Sequence, residues 1–377
     1  MTSTSIIDIL PPEIMDEIIG YCVDDIHSLR SCSIVCKAWL PASRYNLFQN
    51  HAMRLTRRIS EEILESFECA APSLTGYVRC IHASCQIFLQ LSQLTVFPSL
   101  EALHLRNLDS STYTPLISCL DSIYPRLKRI QIKGISYNMN WGGMHGFDAV
   151  SLLVSSMKNL RELSFEATWN CALSYGSSPI PGPPPSTLTS LELYDLDPHY
   201  ISQWLLHHRV NSIERLTLDL IARTHNCNLG RYLEFAGPSI KDLTLLDLGG
   251  SEALTTYRAG PYTFLTLFTT LRTLRIGKFS TGNFRGEPPM RITPILEILT
   301  AKQALERLVL GFDWKGSNTM VSANWYALEQ VLARPQFSSL RTLEVCINPA
   351  QNLKPARKIL RRMLPRYIHL IEVTHWR

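Results

Sequence analysis

The stretch "LRTLEV" at residues 340–345 decides the fold, because it is the last of nine copies of one spacing. The same L-x-x-L-x-L pattern, with other apolar residues at some leucine positions, occurs as "LEALHL" (100–105), "LKRIQI" (127–132), "LRELSF" (160–165) and "LTSLEL" (188–193). It recurs as "IERLTL" (213–218), "IKDLTL" (240–245), "LRTLRI" (271–276) and "LERLVL" (305–310). Successive starts lie 27, 33, 28, 25, 27, 31, 34 and 35 residues apart. Within each copy apolar and polar side chains alternate with period two, the signature of a strand with one buried face. Weaker segments, "YVRCIHA" (77–83) and "HLIEVTH" (369–375), predict an earlier and a closing strand. Between copies lie helical stretches such as "FDAVSLLVSSM" and "NWYALEQVLARP", often ended by Pro or Gly.

One strand and one helix per unit, none able to bury its apolar face alone, describes an α/β leucine-rich-repeat solenoid over residues 76–377. Parallel strands are expected to line its concave side and helices its convex side. The position three after the last leucine is usually Asn in such repeats. Here it is Leu108, Ile135, Thr168, Leu196, Ile221, Leu248, Phe279, Asp313 and Asn348. The usual Asn ladder is therefore mostly missing, and an irregular horseshoe with uneven curvature is expected. Near the end, Lys354, Arg357, Lys358, Arg361, Arg362 and Arg366 oppose Ala356, Ile359, Leu360, Met363 and Leu364. That pattern predicts a capping helix whose outer face is polar, or alternatively a patch for an acidic partner.

The beginning of the chain is different. "LPPEIMDEIIGYC" (10–22) reads as a helix, with Pro11 and Pro12 where a missing N–H costs nothing. Ile14, Met15, Ile18, Ile19 and Cys22 make one apolar stripe along it. Asp24 or Asp25 caps a second helix carrying Ile26, Leu29 and Cys32; Ile34, Val35, Cys36, Trp39 and Leu40 follow until Pro41 interrupts the pattern. Three short helices over some forty residues carry more apolar surface than so small a bundle can hide. A partner protein is the expected cover.

The order Leu10-Pro11-Pro12-Glu13-Ile14, then Ile18, Leu29, Cys32, Val35-Cys36 and Trp39, resembles an F-box over residues 6–50. The ending "AWLPASRYNLF" is similar to that of fungal, basidiomycete-type F-box proteins. Ile26-His27-Ser28 departs from the commoner Asp-Leu start of the second helix. The resemblance implies docking on the Skp adaptor, and through it on a cullin, by Leu10, Pro11, Pro12, Ile14, Ile18, Leu29, Val35, Cys36 and Trp39. It implies a substrate-recognition subunit of a ubiquitin ligase, with an F-box scaffold acting outside a ligase as the alternative. An enzyme with a site assembled across the repeats is less favoured.

Residues 51–75 join the two parts. Leu55, Ile59, Ile63 and Phe67 are four apart and predict a helical linker. "PIPGPPP" (179–185) reads as an extended surface loop, or as a polyproline docking segment. In L-x-x-L-x-L the third and fifth residues point away from the leucines. Arg129, Arg215 and Arg307 then form one lane for an acidic or phosphorylated target, beside His104, Gln131, Glu192, Arg275 and Glu344. Trp169 and Trp314 share a repeat position and offer a second target-binding surface.

Other chemistry is not legible. No phosphate-binding loop or nucleophile elbow occurs, so no catalytic residue and no cofactor is expected. His199, His207 and His208 lack partners at ligand spacing, and Cys80 with Cys85 fits no zinc or redox pattern, so no metal is expected. A net charge of +5 with both signs interspersed gives no reason to expect nucleic acid or membrane as a partner. Ten cysteines without a framework spacing, and acidic Asp8, Glu13, Asp16 and Glu17 near the start, predict a cytoplasmic or nuclear protein.

Overall fold

Every L-x-x-L-x-L copy becomes a strand, and each strand begins at the third residue of its copy. The nine are β3 (Ala102–Arg106), β4 (Arg129–Ile135), β5 (Glu162–Ala167), β6 (Ser190–Tyr194), β7 (Arg215–Asp219), β8 (Asp242–Leu246), β9 (Thr273–Ser280), β10 (Arg307–Asp313) and β11 (Thr342–Ile347). The weaker segments supply β2 (Cys80–Ser84) and β12 (Ile371–His375), and β1 (Met53–Leu55) precedes them. This is a computed structural model, describing residues 10–50, 52–55, 75–84, 97–107, 125–135, 146–167, 182–194, 199–219, 227–246, 263–280, 288–300, 303–313, 325–347 and 353–375. Its strands form one twelve-stranded parallel sheet in chain order, so the fold is α/β. Among the described residues a helix or 3-10 turn lies between β4 and β5 and in each connection from β6 to β12, because successive parallel strands need a crossover.

The chain divides into two compact units. The first contains Met1–Glu162 and Asn170–Pro179. Its helices α1 (Pro12–Gly20), α2 (Ile26–Val35) and α3 (Leu40–Asn50) come first, followed by β1 to β4 and, after them, α4 (Gly146–Ser156). The expected helical linker is corrected at its start. Residues 53–55 are a strand paired with β2, Met53 beside Ile81 and Leu55 beside Ala83. Ile59, Ile63 and Phe67 lie outside the described residues.

The second unit contains Leu163–Trp169 and Ile180–Arg377. Between its strands lie α5 (His199–His207), α6 (Cys227–Ala236), α7 (Pro288–Ile298), α8 (Trp325–Leu332) and α9 (Leu353–Met363). Helix α9 is the expected amphipathic cap: Ala356, Leu360 and Leu364 are buried while Lys354, Arg357, Lys358, Arg361 and Arg362 are exposed. It packs on β12, and Arg357 Nη2 donates to the Val373 carbonyl at 3.2 Å.

Within both units the first, fourth and sixth residues of each copy make the core. Leu100, Leu103 and Leu105 in the first unit, and Leu271, Leu274 and Ile276 in the second, are all fully buried. The backbone between repeats is satisfied by a recurring fork, in which one carbonyl at the second motif position accepts two amides from the next repeat. Glu101 O takes Lys128 N at 2.8 Å and Arg129 N at 3.0 Å; Lys241 O takes Arg272 N at 2.8 Å and Thr273 N at 3.0 Å.

A side-chain ladder sits immediately before the copies. Arg126 Nη1 donates to the Pro98 carbonyl at 2.9 Å and Asn159 Nδ2 to the Pro125 carbonyl at 2.6 Å. In the second unit Ser212 Oγ donates to Leu188 O at 2.7 Å, Ser239 Oγ to Ile213 O at 3.0 Å and Thr270 Oγ1 to Ile240 O at 3.1 Å. Polar residues at this position thus tie each repeat to the one before it. At the usual Asn position, Ile135 and Asp313 are the last residues of β4 and β10 and Phe279 the last but one of β9, so these strands extend as far as that position. The other six such positions lie outside the described residues.

The proline-rich loop is described only at its end. Pro184 and Pro185 are buried, and the Gly182 carbonyl accepts a 3.0 Å hydrogen bond from Trp204 Nε1. The end of that segment is packed against its own repeat, while Pro183 is exposed and residues 179–181 lie outside the described residues.

Candidate functional site

The N-terminal helices are set by local chemistry. Pro12 opens α1 with Pro11 as its cap residue. Asp25 caps α2, accepting from His27 N at 3.0 Å, Ser28 N at 3.2 Å and Ser28 Oγ at 2.6 Å. The hydroxyl and amide of Ser28 hold the Asp25 carboxyl below its ordinary range. Pro41 does not interrupt a helix as expected; it lies in the first turn of α3, where a ring nitrogen displaces no helical hydrogen bond.

Ile19, Leu29 and Ala42 form the core of this module, with Cys22, Trp39 and Leu47 packed on it. The apolar stripe of α1 is therefore split. Met15 and Ile19 point inward, whereas Ile14 and Ile18 remain 42% and 41% exposed. Tyr21 follows on the exposed side, and at the end of α2 Ile34 is 85% and Val35 54% exposed. Pro11 and Pro12 are exposed, and Leu10, Cys36 and Trp39 half-buried. Leu29 is fully buried. It supports the module from within and offers nothing to a partner, a correction to its place among the docking residues.

On the sheet, the three arginines do not make a continuous lane. In register, Arg215 lies between Ser190 and Asp242, Arg307 between Thr273 and Thr342, and Arg129 beside Ala102. Arg129 Nε pairs with Glu162, and Arg307 Nη2 with Glu344 at 2.5 Å. Glu344 also accepts from Thr374 Oγ1 at 2.7 Å. Burial alone would raise its carboxyl, but the hydrogen bonds from Thr374 and Arg307 outweigh burial and hold it below its ordinary value. Two of the three arginines are thus committed to the chain's own carboxylates. Trp169 and Trp314 lie outside the described residues.

Sequence spacing missed one constellation. On β2, Ile81 and Ala83 are buried, leaving Cys80, His82 and Ser84 on the other face. Register places His82 beside His104 of β3, with their rings stacked 4.0 Å apart. One donor atom from each of Cys80, His82 and His104 lies within 4.8 Å of the others. Burial pushes the Cys80 thiol up to about 11 and, with His104 and the cations Arg54, Arg106 and Lys133, drives His82 down to about 4. Burial lowers His104 as well. All three are uncharged at neutral pH. The available signal was Cys-x-His in one strand and His at the same motif position of the next. His207 and His208, by contrast, meet only edge to face at 4.9 Å.

Compared with known proteins, the chain matches no family model and no curated protein. No helix among the described residues is long and apolar enough to cross a membrane.

Proposed function

We propose that the chain is the substrate-recognition subunit of a Skp–cullin–F-box ubiquitin ligase. Residues 6–50 dock on the Skp adaptor, and the repeats bind the protein to be ubiquitylated, in the cytoplasm or nucleus. The observation that carries this reading is the uncovered apolar surface of α1 and the end of α2, at Ile14, Ile18, Tyr21, Ile34 and Val35. Leaving such side chains in water forgoes roughly 1.5–3 kcal/mol for each fully buried one, so a module of this size gains from a partner that covers them. Four of the positions implied by the F-box resemblance, Pro12, Ile14, Ile18 and Val35, lie in or beside that surface. The same module keeps Leu29 and Trp39 to hold its own core together.

The repeats supply the second half. Polar side chains at the third and fifth motif positions stand in rows on the face of the sheet opposite the leucines, as a recognition surface requires. In this reading the rows act as a mixed pattern of pre-paired charges, Arg129 with Glu162 and Arg307 with Glu344. Catalysis belongs to other subunits.

The test is co-expression of the whole chain with a Skp adaptor and a cullin. Recovery of both by affinity purification, and loss of both from an Ile14→Asp/Ile18→Asp variant with unchanged melting temperature, is the expected result. Recovery of the adaptor without cullin would assign the chain to a scaffold outside the ligase. Failure to recover the adaptor would refute the reading.

A further inference from the structure

We infer that Cys80, His82 and His104 bind one zinc(II) ion on the face of the sheet formed by β2 and β3. The argument starts from strand geometry. Period two sends Cys80 and His82 to the same face of β2, and parallel pairing sets His104 directly beside His82. A thiol and an imidazole two residues apart, with a second imidazole from the next strand, therefore converge with donor atoms no more than 4.8 Å from one another. Zinc–ligand bonds of roughly 2.0–2.3 Å in a tetrahedron need donors about 3.3–3.7 Å apart, so closure draws the donors about an ångström closer and turns the two imidazoles out of their stack.

A second observation points to a ligand. His104 Nε2 is buried and has no hydrogen-bond partner. A buried ring nitrogen left unpaired is costly unless something coordinates it. The ring also hydrogen-bonds the side chain of Gln131, its register neighbour on β4. A metal-binding histidine commonly has this arrangement: one nitrogen held by an outer partner, the other presented to the ion.

The donor set selects the metal. One thiolate and two imidazoles suit a borderline-soft d10 ion, not calcium or magnesium, whose ligands are oxygens. Binding removes the Cys80 proton, forms Zn–S and two Zn–N bonds, and changes no oxidation state. Three protein ligands leave a fourth position open. Arg54, Arg106, Arg129 and Lys133 act electrostatically on these groups. Their charge opposes a bare dication and favours the thiolate together with an anion in the fourth position, chloride in the simplest case. The site is independent of the α1–α2 docking surface.

The whole chain, stripped with chelator and dialysed, is titrated with zinc chloride by calorimetry, and with cobalt(II) chloride by absorption spectroscopy. One equivalent of zinc and a sulfur-to-cobalt charge-transfer band are expected. Cys80→Ser should abolish the band and weaken zinc at least a hundredfold, and His104→Asn should weaken it at least tenfold. Cys85→Ser should change neither. Should the Cys80 variant fail to fold, the wild-type cobalt spectrum decides alone: bands without a charge-transfer component refute the assignment. Binding of less than a tenth of an equivalent refutes it too, as does full zinc affinity in folded Cys80→Ser. Tighter binding of copper(I) than zinc in competition would overturn the choice of metal.

Discussion

Replacing Ile34 and Val35 together by alanine tests the docking surface with the least disturbance of the fold. Both side chains are largely in water in the free chain, at 85% and 54% exposure. Their truncation should move the chain's own stability by no more than about 0.5 kcal/mol, as is usual for surface sites. The cost appears only when a partner covers them. Ile34 loses three carbons, worth about 2 kcal/mol at roughly 0.8 kcal/mol per buried carbon, after allowing for the part already covered. Val35 loses two, worth about 1 kcal/mol on the same scale. About 3 kcal/mol corresponds to roughly a hundredfold in Kd.

The assay is calorimetric titration of purified Skp adaptor into the whole chain, wild type and variant, with a thermal melt of each alone. Leu29→Ala is the contrast. Leu29 is fully buried, so its truncation should cost about 2–5 kcal/mol and lower the melting transition of the helical module. The expected pattern is weaker adaptor binding without destabilisation for the exposed pair, and destabilisation for the buried residue. Adaptor affinity within threefold of wild type for Ile34→Ala/Val35→Ala would refute the assignment of this surface.

Three further outcomes follow from the repeats. Glu344→Gln should cost about 2 kcal/mol at pH 7, because it removes the charge that Arg307 and Thr374 hydrogen-bond. The folded carboxyl titrates below its ordinary value of 4.5, so the wild-type advantage is complete above that pH and disappears as pH falls through the lowered folded value; paired melts at pH 7 and in steps down through the acid range check this. Gly134 has φ +67°, and a Cβ there would lie 3.1 Å from Asn107 Oδ1, so Gly134→Ala should lower stability by about 1–2 kcal/mol in urea unfolding. Thr270→Val removes the hydroxyl that serves the Pro238 and Ile240 carbonyls and should cost about 1 kcal/mol by the same measurement.

The strands were legible because their cause is local. An apolar residue at the first, fourth and sixth positions of each copy dictates both the strand and its buried face, and all nine copies behave alike. The cap helix was legible for the same reason: Ala356, Leu360 and Leu364 recur at helical spacing. Leu29 was not placed correctly, since a stripe of apolar residues does not say which of its members faces inward. The strand at Met53–Leu55 was hidden by an i, i+4 pattern that Leu55 happens to share. The three arginines are not neighbours because the copies between them carry other residues at the third position, which the register sets side by side. Arg307 shares a motif position with Arg129 and Arg215, yet its immediate neighbours are threonines and its partner is Glu344. The same alignment makes neighbours of His82 and His104, both at the fifth motif position.

The two proposed surfaces differ in chemistry, and salt should separate them. Ile14, Ile18, Tyr21, Ile34 and Val35 carry no charge, so adaptor binding through them gains from water release and is not screened. The sheet rows are ionic: Arg129 pairs with Glu162 and Arg307 with Glu344, and both arginines remain about half exposed. A target selected by such rows must exchange its own charges against these pairs. That exchange weakens when the Debye length shrinks from about 10 Å at 0.1 M to about 3 Å at 1 M salt. Raising salt from 0.1 M to 1 M should therefore leave adaptor affinity within about threefold while removing most of the target proteins recovered with the chain. Both can be read from one affinity purification, with the adaptor as internal standard and the recovered proteins counted by mass spectrometry. Loss of the adaptor together with the targets would mean that α1 and α2 dock through charge, contrary to the apolar surface argued above. Targets retained at 1 M salt would shift recognition from the ionic rows to apolar parts of the repeats.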